Sequence, residues 1–216
     1  MTDNLQAVYN QIAPGWYNYR HHTIFRQELE NLARHWPGGR LLNLGCGHGA
    51  DFMPFIEKFE LYGIDFSEEM ITLARKYAAK YNFETQLAIA NIVRLPFENE
   101  TYDYAIAVAT YHHLKAPQRL PALQELRRVL KPGGYAFITV WNRWQAKFWF
   151  KNNEMMVPWR MKDKILYRYY HPFTYGEIKL LADKAGLSVI ETFAENDFRF
   201  PLKYFSRNIC LIVKKA

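Results

Sequence analysis

The chain has 216 residues, half of them hydrophobic and 17% aromatic, with 28 Lys and Arg against 21 Asp and Glu. That length and composition suit one packed domain over 1–216 and exclude a largely disordered chain. The net charge of +7 favours a polyanionic partner such as nucleic acid.

No run of about 18 apolar residues occurs, so no helix is expected to cross a membrane. The start, Met1-Thr2-Asp3-Asn4-Leu5-Gln6, lacks the basic and apolar regions of a signal peptide, and the expected compartment is the cytoplasm. Cys46 and Cys210 stand far apart without neighbouring ligands, which points to buried thiols, with no metal site and no disulfide.

Residues 1–38 read as a helical cap of two helices, with Leu5, Val8 and Ile12 and then Ile24, Phe25, Leu29 and Leu32 at helical spacing, separated by Pro14-Gly15. A core over 39–140 follows. Residues 40–44 form a short apolar strand that ends in glycines. After a helix over 51–58, residues 60–65 give a second strand with a terminal acid, and Ser67 caps a helix to residue 81. Strands over 85–90 and 102–108 come next. A helix with Pro117 in its first turn stops before Lys131-Pro132-Gly133-Gly134, and 135–140 is the fifth strand.

Residues 141–173 are rich in Trp, Tyr, Met and basic residues without clear strand periodicity, and read as an insertion on the substrate side. In 174–216, Thr174-Tyr175-Gly176-Glu177 has capping-box spacing for a helix to residue 185 that Gly186 ends. Strands over 189–193 and 208–213 complete the chain. The alternation predicts an α/β, doubly wound, mostly parallel sheet, with its ligand crevice at the carboxyl ends of the strands.

Gly45, Gly47 and Gly49 directly after a strand let the backbone turn tightly and approach a ligand. Their spacing departs from the G-x-G-x-x-G of dinucleotide sites. Asp65, twenty residues on, suits an acceptor for ribose hydroxyls with either kind of nucleotide.

Four strings in order, Leu41-Leu42-Asn43-Leu44-Gly45-Cys46-Gly47-His48-Gly49, Gly63-Ile64-Asp65-Phe66-Ser67, Arg94-Leu95-Pro96-Phe97 and Leu130-Lys131-Pro132-Gly133-Gly134, resemble the motifs of class I methyltransferases that use S-adenosylmethionine (SAM). The resemblance implies a seven-stranded Rossmann-like sheet with SAM over the first two strands. By position, Gly45 and Gly47 would lie against SAM, Asp65 beside Phe66 would hold its ribose, Asn91 with Ile92 would meet the adenine, and Ala109 would face the methionine part. The family usually has Asp where Asn43 and Asn91 stand.

A finer resemblance concerns the substrate. Tyr111-His112-His113-Leu114 and Arg168-Tyr169-Tyr170-His171-Pro172-Phe173 are similar to tRNA methyltransferases that esterify 5-carboxymethyluridine at the wobble position. Tyr17, on the cofactor side, and Arg20 occupy places like those of an aromatic residue and an arginine in that family. This resemblance implies tRNA as a partner, and a small zinc-bearing activator protein at the edge formed by residues 85–90.

A carboxylate acceptor is already ionised at neutral pH and needs no base, but it does need positioning by a forked cation. Arg20, Arg168 and His171 are the candidates, and His112 could act as a base toward a hydroxyl acceptor. Trp141, Trp144, Trp149 and Trp159, interleaved with Arg143, Lys147, Lys151 and Arg160, suit either base stacking or an amphipathic lid. A small-molecule O-methyltransferase and a SAM-binding scaffold without catalysis remain as alternatives.

Overall fold

The computed structural model describes residues 5–198 and 202–216; residues 1–4, which open the segment read for a signal peptide, lie outside it. Nine strands are present among the described residues: β1 Gly39–Leu44, β2 Phe59–Asp65, β3 Gln86–Ile89, β4 Tyr102–Val108, β5 Leu130–Trp141, β6 Met155–Arg160, β7 Ile165–Tyr170, β8 Leu187–Ala194 and β9 Asn208–Lys215. Seven form one sheet in the order β3-β2-β1-β4-β5-β9-β8. Neighbours from β3 to β5 run parallel, and β9 is antiparallel to both β5 and β8. The seven-stranded, mostly parallel sheet expected from the sequence is therefore present.

Among the described residues five α-helices flank the sheet: α1 Leu5–Tyr19, α2 Arg26–His35, α3 Glu68–Tyr81, α4 Ala116–Val129 and α5 Tyr175–Lys184. Leu123 and Leu126 of α4 pack with Ile178 and Ala182 of α5 against one face of the sheet. Leu29 of α2, Ile71 of α3 and the rings of Phe52 and Phe55 cover the other. The strand order reverses between β1 and β4. Crossovers leave these two strands in opposite directions, so a crevice opens past their carboxyl ends.

Local chemistry sets most boundaries. Ser67 Oγ accepts the Met70 N–H at 3.2 Å and starts α3, and Asn82 in the left-handed region (φ 52°) ends it. Thr174 Oγ1 likewise accepts the Glu177 N–H at 3.1 Å. The carboxylate of Glu177, however, meets His171 Nε2 at 2.7 Å, so it serves a tertiary contact and not a capping box.

Four expectations are corrected. Pro14 does not divide the first helices; α1 runs through it to Tyr19, because Tyr9, Ile12, Ala13 and Tyr17 bury one face and outweigh the local penalty. The segment after the glycine loop is a 3-10 turn, Ala50–Phe55, since Pro54 lacks the N–H that a longer α-helix would need there. Lys131-Pro132-Gly133-Gly134 lies within β5 as an irregularity: Tyr102 pairs with Leu130, and Tyr104 with Tyr135. The insertion contains an antiparallel hairpin, β6–β7, in which Met155, Val157 and Trp159 alternate with exposed Met156, Pro158 and Arg160. Cys46 and Cys210 are buried free thiols.

Two glycines give opposed stability expectations. A Cβ on Gly63 in β2 would lie 2.7 Å from Phe52 and 2.9 Å from Leu87, whereas one on Gly176 in α5 meets nothing within 4 Å. In urea unfolding, Gly63→Ala should destabilise the fold by about 1–3 kcal/mol, and Gly176→Ala should stabilise it by about 0.5–1 kcal/mol.

Candidate active site

The loop after β1 is shaped by Gly45, Gly47 and Gly49, at φ 71°, 54° and 91°, a region costly for residues with a side chain. A Cβ on Gly45 would lie 2.5 Å from Thr110 Oγ1, while one on Gly47 would enter open space. Asp65 at the end of β2 fixes the loop: Oδ2 accepts the Gly47 N–H at 3.0 Å and Oδ1 the Ser67 N–H at 2.9 Å. Burial pushes its carboxyl up to about 6, partly countered by these hydrogen bonds.

Just past the end of β4, Ala109 has φ 54°, unusual for an alanine, and its N–H donates to Thr139 Oγ1 at 2.9 Å. Thr110 Oγ1 donates to the Leu44 carbonyl at 2.9 Å and ties the ends of β1 and β4 together. Asn91 Oδ1 accepts the Val93 N–H at 3.1 Å, so its amide nitrogen is the group left to meet a ligand.

A cavity of about 800 Å³ lies over these strand ends. Gly45, Gly47, Asp65, Phe66, Asn91, Ile92 and Ala109 line it, with Arg20 and His112 of the residues expected on the acceptor side. Tyr9, Trp16, His113, Trp141 and Tyr170 line it too. Tyr9 and Trp16, on one stripe of α1, are not singled out by the sequence, where nothing distinguishes them from other aromatic residues. Only the path of α1 across the crevice reveals them.

Four expected residues lie outside the lining. The ring of Tyr17 packs with Ala50 and Tyr77, edge-on to His48 at 5.6 Å, and so braces the glycine loop from behind. Asn43 is fully buried in β1, and neither atom of its amide has a hydrogen-bond partner among the described residues. His171 sits 2.7 Å from Glu177, which also lies 3.6 Å from Arg119. That junction ties α4 and α5 to the end of β7. Arg168 is 6% exposed and stands behind Tyr170.

Arg168 Nη1 donates to the Tyr170 hydroxyl at 3.0 Å. Its guanidinium faces the rings of Trp159 at 5.1 Å, Tyr170 at 5.3 Å and Trp16 at 6.0 Å. Its Nε is buried without a partner, and among the described residues no carboxylate lies within 4 Å of it. Arg20 likewise makes no ion pair there; its guanidinium lies 4.3 Å over Trp16.

Both nearby histidines are neutral. Burial lowers His113 to about 4 and His112 well below its ordinary value, with a further push from the charge of Arg168. His113 Nδ1 lies 2.9 Å from the Tyr169 carbonyl, which can only accept, so Nδ1 carries the proton and Nε2 accepts from the Tyr9 hydroxyl at 2.7 Å. His112 Nδ1 accepts the Trp141 N–H at 3.3 Å, which leaves its proton on Nε2. His112 also stacks on Tyr170 at 4.8 Å.

Residues 41–134 match the model of a methyltransferase domain. The chain is 30% identical over 156 residues to the 2-phytyl-1,4-naphtoquinone methyltransferase of Trichormus variabilis, covering 66% of this chain and 67% of that protein. This chain belongs to the SAM-dependent methyltransferases. The methyltransferase is also 28% identical over 157 residues to the human protein named probable tRNA methyltransferase 9B, covering 72% of this chain and 33% of that one. To the Mus musculus tRNA (carboxymethyluridine(34)-5-O)-methyltransferase ALKBH8 it is 30% identical over 139 residues, 64% of this chain and 20% of that one. It thus spans a third or less of the length of these two relatives.

The fold also matches a SAM-dependent methyltransferase from Clostridium acetobutylicum, with TM-score 0.75, 14% identity, and 97% and 99% of the two chains covered. A complex of the Haloferax volcanii Trm112 methyltransferase activator with a candidate methyltransferase matches with TM-score 0.69, 17% identity, and 99% and 97% covered.

The strand-end residues fit SAM. Open space over Gly47 admits a ligand against the backbone, and both Asp65 oxygens, each holding one N–H, retain lone pairs for ribose hydroxyls. Asn91 presents an amide donor where the family usually presents a carboxylate, and so suits a ring nitrogen of adenine.

A pH dependence follows from Asp65. Its folded value near 6 exceeds the ordinary 3.8, so the ligand-free fold gains from protonation and loses that gain as pH rises from about 4 to about 6. Calorimetry should find SAM binding weakening as pH falls below about 6. Asp65→Asn should bind SAM poorly at every pH and lose this pH dependence, its amide nitrogen leaving one of the two N–H groups without an acceptor.

Proposed function

We propose that this chain transfers the methyl group of SAM to the carboxylate of 5-carboxymethyluridine at the tRNA wobble position, forming the methyl ester. The observation that carries this reading is the buried guanidinium of Arg168, which no acidic side chain neutralises among the described residues, beside a second unpaired arginine, Arg20, in the cavity wall. A buried unpaired charge is costly, and an anionic acceptor in the cavity would offset that cost.

Bound SAM supplies an electrophilic methyl group on a sulfonium. The chain's own part is alignment and exclusion of water. Arg20 offers a fork to a carboxylate, and Arg168 polarises the Tyr170 hydroxyl on the cavity wall. His112 brings an N–H and stays uncharged, and the rings of Tyr9, Trp16 and Trp141 wall the acceptor from water. No base is required, because a carboxylate with an ordinary value near 4 is already ionised.

The relative named for carboxymethyluridine methylation supports the substrate, and a tRNA substrate fits a cytoplasmic location. An activator protein fits the free edge of β3, where Ile89 is 50% exposed, and the Haloferax complex supports such a partner. A small-molecule O-methyltransferase is favoured by one observation, the quinone methyltransferase relative matched over two thirds of its length. A neutral quinone precursor would leave both arginines unpaired.

Labelled SAM incubated with carboxymethylated tRNA, with an activator supplied, should give an alkali-labile methyl group in the anticodon loop; no transfer would refute the reading. Arg168→Met should lower kcat/KM by roughly 100-fold or more. The same substitution should raise thermal stability, since it removes an unpaired buried charge. Loss of both activity and stability would instead mark Arg168 as structural.

A further inference from the structure

The hairpin β6–β7 has two unlike faces. Its inner face packs on α1, with the rings of Trp159 and Trp16 at 5.5 Å. On the outer face Pro158 pairs with Tyr167 and Arg160 with Ile165, and Met156, Ile165 and Tyr167 are 40%, 45% and 51% exposed. Nothing among the described residues covers them.

Charge identifies the occupant. Residues 141–173 hold seven Lys and Arg against two acidic residues, so five of the seven net positive charges lie in this one insertion. Arg160 and Lys162 are exposed, and neither side chain makes a hydrogen bond or ion pair among the described residues. Cations interrupt the apolar residues, unlike the charge-depleted centre of a protein–protein interface. An exposed ring between free cations suits single-stranded nucleic acid, whose bases stack and whose phosphates need countercharges.

We propose that this outer face carries the single-stranded RNA flanking the target nucleotide, with Tyr167 as the stacking platform and Arg160 and Lys162 as phosphate contacts. The surface is continuous with the site: Tyr169, two residues along β7 on the same face and roughly 7 Å away, lines the cavity. The inference rests on the tRNA reading and adds the surface that reading lacks. It also moves the stacking role away from Trp141 and Trp159, which are packed inward against Tyr170 and Trp16.

Fluorescence anisotropy with a labelled anticodon stem-loop RNA, on the full chain at several salt concentrations, tests the surface. Tyr167→Ala should weaken binding roughly 5- to 100-fold, and Tyr167→Phe should bind like the parent. The double change Arg160→Ala with Lys162→Ala should reduce the log–log salt slope by about 1.4, or about 0.7 for each lost phosphate contact. Parent-like binding by both the Ala variant of Tyr167 and the double variant overturns the proposal. So does capture by phosphatidylserine vesicles, through these residues, of a chain that binds no RNA. Methyl transfer is read separately: variant-sensitive RNA binding without transfer refutes the carboxylate reading and leaves the surface standing, whereas transfer with variant-insensitive binding does the reverse.

Discussion

The hydrogen bond from the Gly47 N–H to Asp65 is the contact on which the cofactor side of the site depends. It joins the loop after β1 to the end of β2, and it holds a carboxylate where burial would otherwise drive it to protonate. The loop can take that path because three glycines accept left-handed backbone angles, and because Thr110, just past the end of β4, fills the space a side chain on Gly45 would need. A parallel sheet whose strand order reverses at β1 brings these pieces to one edge. The same geometry leaves Ala109 strained beside the cavity, a cost that a fold without a ligand there would have no reason to keep.

The acceptor side follows a different rule. Among the described residues no carboxylate lies within 4 Å of its two arginines, and burial, with a push from Arg168, holds its histidines neutral. Three separate segments meet at His113: Tyr9 from α1, the turn after β4, and the Tyr169 carbonyl of β7. Helix and hairpin are thus locked together over the cavity by one uncharged imidazole. Under the proposed function an anionic acceptor would offset this unpaired charge, which a neutral acceptor would leave in place.

The core was legible because its signals are local. Short apolar strands ending in glycine or an acid, the Ser67 cap and the order of the motifs need only a few adjacent residues, and β1, β2, β4 and α3 fall where they point. Elements governed by distant packing were not legible in this way. Pro14 marks a break by its own chemistry, yet the buried stripe of α1 carries the helix through it. The alternation in residues 155–160 is present but is obscured by Pro158 and by the apolar Met156 on the exposed face. Arg168 was singled out by resemblance, while its missing counter-charge, the feature that gives it meaning, is visible only in three dimensions. Nothing in the sequence around Tyr17 and His171 shows that His48 and Glu177 are their neighbours in the fold.

A cavity that receives an anionic acceptor should distinguish a carboxylate from a neutral group of the same shape. The most direct measurement compares binding and methylation of anticodon stem-loops that carry 5-carboxymethyluridine and its neutral amide analogue, which differ by one charge at nearly constant shape. The account predicts that the carboxylate form binds more tightly and alone becomes methylated, with the preference lost in Arg168→Met. Equal binding of the two forms, or a preference that survives that substitution, would contradict it.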